Sequence, residues 1–120
     1  MTQTQIDPSD LSQRIVDIMS DRQAEDIVLL DIHDVANFTD YFVIATAQNP
    51  RHTSALIDAF EKELANEGIK SLHREGDSSS GWVLVDFGAV IVHIFTPEDR
   101  AHYNLESLWT RAGVPAVRFQ

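Results

Sequence analysis

The sequence predicts an α+β fold, a single domain in which a mixed β-sheet is packed with helices. Three observations predict it. Apolar residues recur at helical spacing in three segments, and five short apolar runs of strand character lie between them. The order of these segments is helix, two strands, helix, three strands, helix, which suits one mixed sheet with helices laid on it. The 120 residues contain no repeat and no linker, so they can bury one core but hardly two.

The first helix starts from Asp7, a capping residue, followed by Pro8 at the first helical turn and Asp10 near the positive end of the dipole. Leu11, Ile15, Ile18 and Met19 then share one face, and the helix is expected to end near Arg22. Ile27–Ile32 reads as a buried strand, His33–Asp40 as a polar connection, and Tyr41–Thr46 as a second strand antiparallel to the first. Asn and Pro in Ala47–His52 mark a turn and a new helix, whose stripe is Leu56, Ile57, Phe60 and Leu64, with Gly68 as its C-terminal stop. Ile69–Glu75 is expected to be an edge strand, and Gly76–Gly81 a flexible loop. A hairpin from Trp82 to Phe95 follows. Thr96 and Pro97 then open a last helix with Leu105, Leu108 and Trp109 on one side, ended by Gly113 and Pro115. On this reading residues 1–9 are a polar tail, 10–112 the domain and 113–120 a C-terminal tail.

The hairpin carries most of the functional signal. A two-residue loop at Gly88–Ala89 pairs Phe87 with Val90, Leu84 with His93 and Trp82 with Phe95. One face is then Val83, Val85, Phe87, Val90, Val92 and Ile94, which is core. The other is Trp82, Leu84, Asp86, Ile91, His93 and Phe95. This amphipathic set asks for a cover, either the protein's own C-terminal helix, through Trp109 and Tyr103, or a partner. The pattern alone leaves both open.

Charge and composition narrow the partners. Nine basic residues stand against 19 acidic, a formal net charge of −10. Free nucleic acid is a poor primary ligand for such a chain, because phosphates are neutralised by Lys and Arg. A basic protein suits it better. The absence of cysteine excludes disulfides, thiolate metal sites and cysteine nucleophiles, and fits a reducing compartment. The polar, acidic N-terminus lacks the basic and apolar segments of a signal peptide, and no apolar run approaches a membrane span, so the expected location is cytoplasmic.

Catalytic motifs are missing. The histidines at 33, 52, 73, 93 and 102 form no compact metal spacing, and no phosphate-cradling glycine loop or nucleophile elbow is present. A mixed sheet with helices can host nucleotidyl transfer, which needs a Gly-Ser turn and strand carboxylates for a divalent metal. Residues 47–52 lack that turn, and Asp86 has no companion set.

Read in order, TDYFVIATA, PRH, REG, WVLVDFG, VIVHIF and YNLESLW resemble the ribosomal silencing factor family, the Iojap-like proteins. The resemblance covers roughly residues 10–110. It implies a nucleotidyltransferase-like fold without the catalytic residues, no enzymatic activity, and no cofactor or metal. It also implies binding to the large ribosomal subunit through its fourteenth protein, a steric block to subunit joining, and lower translation when nutrients are short. The contact residues it implies are Trp82, Asp86, His93 and Phe95 on the hairpin, Tyr103, Leu105, Glu106 and Trp109 from YNLESLW, and Glu75 beside Gly76. Within that set the two tryptophans are expected to supply buried aromatic area, Asp86 and Glu106 to pair with basic side chains, and His93 to make a hydrogen bond. Ala89 stands where an acidic residue is common in the family. Two other readings compete: a divergent metal-dependent nucleotidyltransferase using Asp31, Asp86 and His93, and a homodimerisation module in which the amphipathic face meets its own copy.

Overall fold

The computed structural model describes residues 6–119. The elements run α1 (Pro8–Asp21), β1 (Glu25–Asp31), β2 (Tyr41–Thr46), α2 (Pro50–Asn66), β3 (His73–Glu75), β4 (Trp82–Asp86), β5 (Val90–Phe95), α3 (Pro97–Tyr103), α4 (Leu105–Arg111) and β6 (Ala116–Phe119). The six strands form one sheet in the order β3-β4-β5-β2-β1-β6. Only β2 and β5 are parallel, so the sheet is mixed. This agrees with the α+β expectation.

The helix ends follow local chemistry. The Asp7 carboxylate accepts the Ser9 N–H, the Asn49 side chain accepts the His52 N–H, and the Thr96 hydroxyl accepts the Asp99 N–H; α1, α2 and α3 each begin with proline. Gly68, at φ +82°, releases α2: its N–H donates to Ala65 and the Ile69 N–H donates to Leu64.

Alternation divides the sheet into two faces. On the first, Val83, Val85, Phe87, Val90, Val92 and Ile94 of the hairpin join Ile27, Val43 and Ala45 under α1 and α2. The helices contribute Leu11, Ile15, Ile18 and Met19, and Leu56, Ile57, Phe60 and Leu64, as their periodicity predicts. Phe60 meets Phe87 edge to face, with ring centres 6.0 Å apart. On the second face, Val28, Leu30, Ile32, Phe42, Ile44, Ile91, Phe95 and Val114 form a smaller core under α3 and α4.

Four expectations need correction. The last helix is two helices, because Asn104 takes the left-handed conformation at φ +46° and breaks it. Leu108 does not share the buried side of α4. Leu105 and Trp109, one turn apart, face the sheet, while Leu108 lies about 100° from Trp109 around the helix and is 62% exposed. The proposed tails do not match the folded elements. Pro8 and Ser9 already belong to α1, and Ala116–Phe119 is a strand paired to β1. Free N–H and C=O groups along the β1 edge supply that pairing, whatever the side chains. The third strand is also shorter than expected, with only His73–Glu75 paired to β4.

Candidate functional site

The hairpin register is the expected one: Trp82 opposite Phe95, Leu84 opposite His93, Asp86 opposite Ile91. Towards the edge, Glu75 lies beside Leu84 and His73 beside Asp86. Towards the centre, Phe42, Ile44 and Thr46 lie beside Ile91, His93 and Phe95. The second face is therefore a grid of known order. The C-terminal helices cover its central part, where Trp109 sits edge-on to Phe42 at 5.6 Å and Leu105 packs against the same core. They leave β3 and most of β4 uncovered, reaching β4 through Tyr103 at its Trp82 end. Trp82, Leu84 and Asp86 stay half-buried, Glu75 is exposed, and Tyr103 is 51% exposed at the rim.

Trp82 anchors this open strip. Its ring stacks on Phe95 at 4.9 Å and leans on Tyr103 at 4.8 Å. Its indole N–H donates to Nδ1 of His93 at 3.2 Å. An indole nitrogen can only donate, so His93 is the tautomer with its proton on Nε2. That Nε2 is buried without a hydrogen-bond partner, and the ring packs against Phe42 at 4.5 Å. Burial pushes the His93 pKa down to about 4, so the ring is neutral at ordinary pH. Gly76 lets the chain pass close to this site: at φ +84° it is left-handed, and a Cβ there would lie 2.5 Å from the Trp82 carbonyl oxygen.

The structure brings the expected contact residues together but redistributes their roles. Phe95 is 1% exposed and His93 3% exposed, so both lie behind the surface, supporting Trp82 from below. Glu106 is not free for a partner's cation. It accepts from Nε of Arg100 at 2.7 Å and from Arg118 at 2.8 Å. Burial alone would raise its pKa, but the two arginines outweigh burial and hold it below the usual carboxylate value. Asp86 also has an internal task, accepting the Gly88 N–H at 2.7 Å to close the hairpin turn. Trp109 and Leu105 contribute the helical cover. The residues left facing outward are Trp82, Leu84, Glu75 and Tyr103; Glu75, Gly76, Trp82 and Leu84 line a shallow cavity of about 250 Å³.

The sequence reading missed Arg100. It is buried between α3, β1 and β2, donates to Thr46 at 2.9 Å as well as to Glu106, and approaches Asp26, which Arg118 also bridges at 2.8 Å. Nothing local marks this arginine, because its partners lie up to 74 positions away, at Asp26. The alternative trio of Asp31, Asp86 and His93 does not meet. Asp31 and Asp86 sit on β1 and β4, three strand spacings apart, roughly 14 Å. The Asp31 carboxylate is engaged by His33. Among the described residues, no three His, Asp or Glu side chains gather as metal ligands.

The family model described as "Ribosomal silencing factor during starvation" matches residues 5–120. The chain belongs to the ribosomal silencing factor family. It is 34% identical over 111 residues to the ribosomal silencing factor of Halalkalibacterium halodurans, across 92% of this chain and 93% of that one. It is also 32% identical to the mouse protein named for mitochondrial assembly of the ribosomal large subunit, across 80% of this chain and 43% of the mouse protein. A crystal structure of a Chromobacterium violaceum protein superposes with a TM-score of 0.83 at 30% identity, over 88% of each chain. The ordered motifs read from the sequence thus identified the family correctly.

Proposed function

We propose that this chain binds the large ribosomal subunit through the subunit's fourteenth protein, blocks joining of the small subunit sterically, and so represses translation when nutrients are short. It works in the cytoplasm by occupying a surface and needs no catalysis. The observation that supports this reading is the open strip on the second sheet face. Trp82 stands there on a built support of Phe95, His93 and Tyr103, with Leu84 and Glu75 beside it. A rigid, partly buried tryptophan with a polar rim is the usual anatomy of a binding hot spot. The net charge of −10 complements a basic ribosomal protein and repels bare RNA.

The test is co-sedimentation with isolated large subunits, wild type beside Trp82→Ala, with circular dichroism to confirm that the variant folds. Losing the central tryptophan is expected to cost about 2–4 kcal/mol of binding. Wild type should also slow the joining of added small subunits, and Trp82→Ala should not. If wild type stays in the supernatant, the reading fails. If both proteins pellet equally, the docking surface lies elsewhere.

A further inference from the structure

A second apolar group lies at the other end of the same face. In the loop 32–40 between β1 and β2, Val35 is 52% exposed and Phe38 57% exposed. The loop is well tied. The Val35 and Ala36 N–H groups donate to Ile32 at 3.0 and 2.9 Å, Ile32 donates to Asp40 at 3.0 Å, and the Asp40 and Tyr41 N–H groups donate to Ala89 in the hairpin turn at 3.0 and 3.1 Å. Both ends of the loop are thus fixed, and the Phe38 ring lies near Phe42. Val35, Phe38, Asp34 and Trp109 are among the residues around a cleft of about 400 Å³. The buried indole N–H of Trp109 has no hydrogen-bond partner there.

The loop that frames this cleft carries a net negative charge, with Asp34 on the cleft itself. The loop and its flanks hold Asp31, Asp34 and Asp40 and no Lys or Arg. The one basic group, His33, is already held between Asp31 at 2.5 Å and Asp34 at 3.0 Å. The patch is also continuous with the Trp82 strip through a line of ring contacts: Phe38 to Phe42 at 6.1 Å, Phe42 to His93 at 4.5 Å, His93 to Trp82 at 6.0 Å, Trp82 to Tyr103 at 4.8 Å. Phe38 at one end and Trp82 with Tyr103 at the other reach solvent, while Phe42 and His93 between them are buried.

We propose that the loop 32–40 is a second docking element, in which Phe38 and Val35 seat an apolar side chain of a basic protein segment while Asp34 and Asp40 meet that segment's Lys or Arg. The inference rests on the silencing reading, since a partner seated on Trp82 is the one whose surface extends along this face. Exposed apolar side chains on a loop fixed at both ends and acidic in balance favour a protein of the opposite sign over a nucleic acid.

The experiment measures binding of Phe38→Ser, Val35→Ser and Asp34→Asn to isolated large subunits at low and raised salt, beside wild type and Trp82→Ala. Thermal melts check each fold. Phe38→Ser and Val35→Ser should each weaken binding about tenfold. Asp34→Asn should slow association at low salt, with the difference fading as salt rises. Should the Phe38 and Val35 variants bind like wild type while Trp82→Ala does not, the loop is no docking element and the silencing reading stands. Tighter binding by Asp34→Asn means that an anionic partner meets the loop, which overturns the proposal. Failure of wild type to bind overturns both readings.

Discussion

The two faces of the sheet are made by the same strands and finished in different ways. Under α1 and α2 every hairpin side chain is apolar and buried, and two long helices with four-residue stripes close the layer. Under α3 and α4 the cover is two seven-residue helices, and the face beneath mixes tryptophan, histidine and aspartate with aliphatics. The first face holds the fold together. The second keeps enough cover to fix Trp82 and leaves enough open to present it. The difference shows that availability is set by the length of the cover, since Phe95 and Trp82 are cross-strand neighbours with opposite fates.

The sharpest way to test that division is to remove one aromatic side chain from each side. Phe60 is fully buried on the first face, and Phe60→Ala is expected to cost about 3–5 kcal/mol of stability, through lost burial and the cavity left behind. Urea denaturation at neutral pH would read it as a lower midpoint with an unchanged slope. Trp82→Ala should shift that midpoint much less, because Trp82 is only half-buried, while abolishing most of the binding. A loss of stability from Trp82→Ala as large as that from Phe60→Ala would break the comparison.

The second face has its own fastening, and breaking it should give the next largest effect. Arg100 is 8% exposed and fills the junction of α3, α4, β1 and β2. Arg100→Met leaves Glu106 half-paired in a partly buried place, at a cost of about 3 kcal/mol. A double variant, Arg100→Met with Glu106→Leu, should recover much of that loss, because no uncompensated charge then remains. Chemical denaturation of the single and double variants would show it. If the single variant is as stable as wild type, the network does not secure the cover.

What the sequence could disclose follows the same division. The first face was legible because its rules are local: caps at Asp7, Asn49 and Thr96, stripes at helical spacing, alternation in the hairpin, and a two-residue turn that fixed the register. The family was legible from the order of its motifs. The division of the second face into covered and open halves was not, because it depends on where Asn104 breaks the last helix and on how far α4 reaches. Glu106 looked free for a partner because its ligands, Arg100 and Arg118, meet it only after the chain has folded, and the same holds for β6, whose exposed residues carry no burial pattern.

His93 offers a smaller and more selective test of the covered half. Its folded pKa is about 4 through burial, against an ordinary value of 6.5. Between these values the unfolded chain binds a proton that the folded chain does not, so stability falls as pH drops from 6.5 towards 4. From pH 6.5 to 5 the loss is about 1.6 kcal/mol. His93→Leu should remove that part of the pH dependence. His33 is shifted the other way by its bond to Asp31, so the readout is the difference between wild type and variant at pH 7 and pH 5. Equal slopes for the two proteins would mean that His93 can reach water, and that the half beneath α4 is not closed.

The smallest effect belongs to Leu108, and it separates a hydrophobic residue that covers from one that is only carried. Leu108 lies on the same short helix as Leu105 and Trp109 but points away from the sheet. Leu108→Gln should change stability by no more than about 0.5 kcal/mol, as for most surface positions. Leu105→Gln, one turn earlier and against the second core, should cost several times more, because it sets a polar side chain against apolar neighbours. Thermal melts of the two variants, made in parallel, decide the matter. A large loss from Leu108→Gln would mean that α4 turns its other side to the sheet, and that the open strip beside Trp82 is drawn in the wrong place.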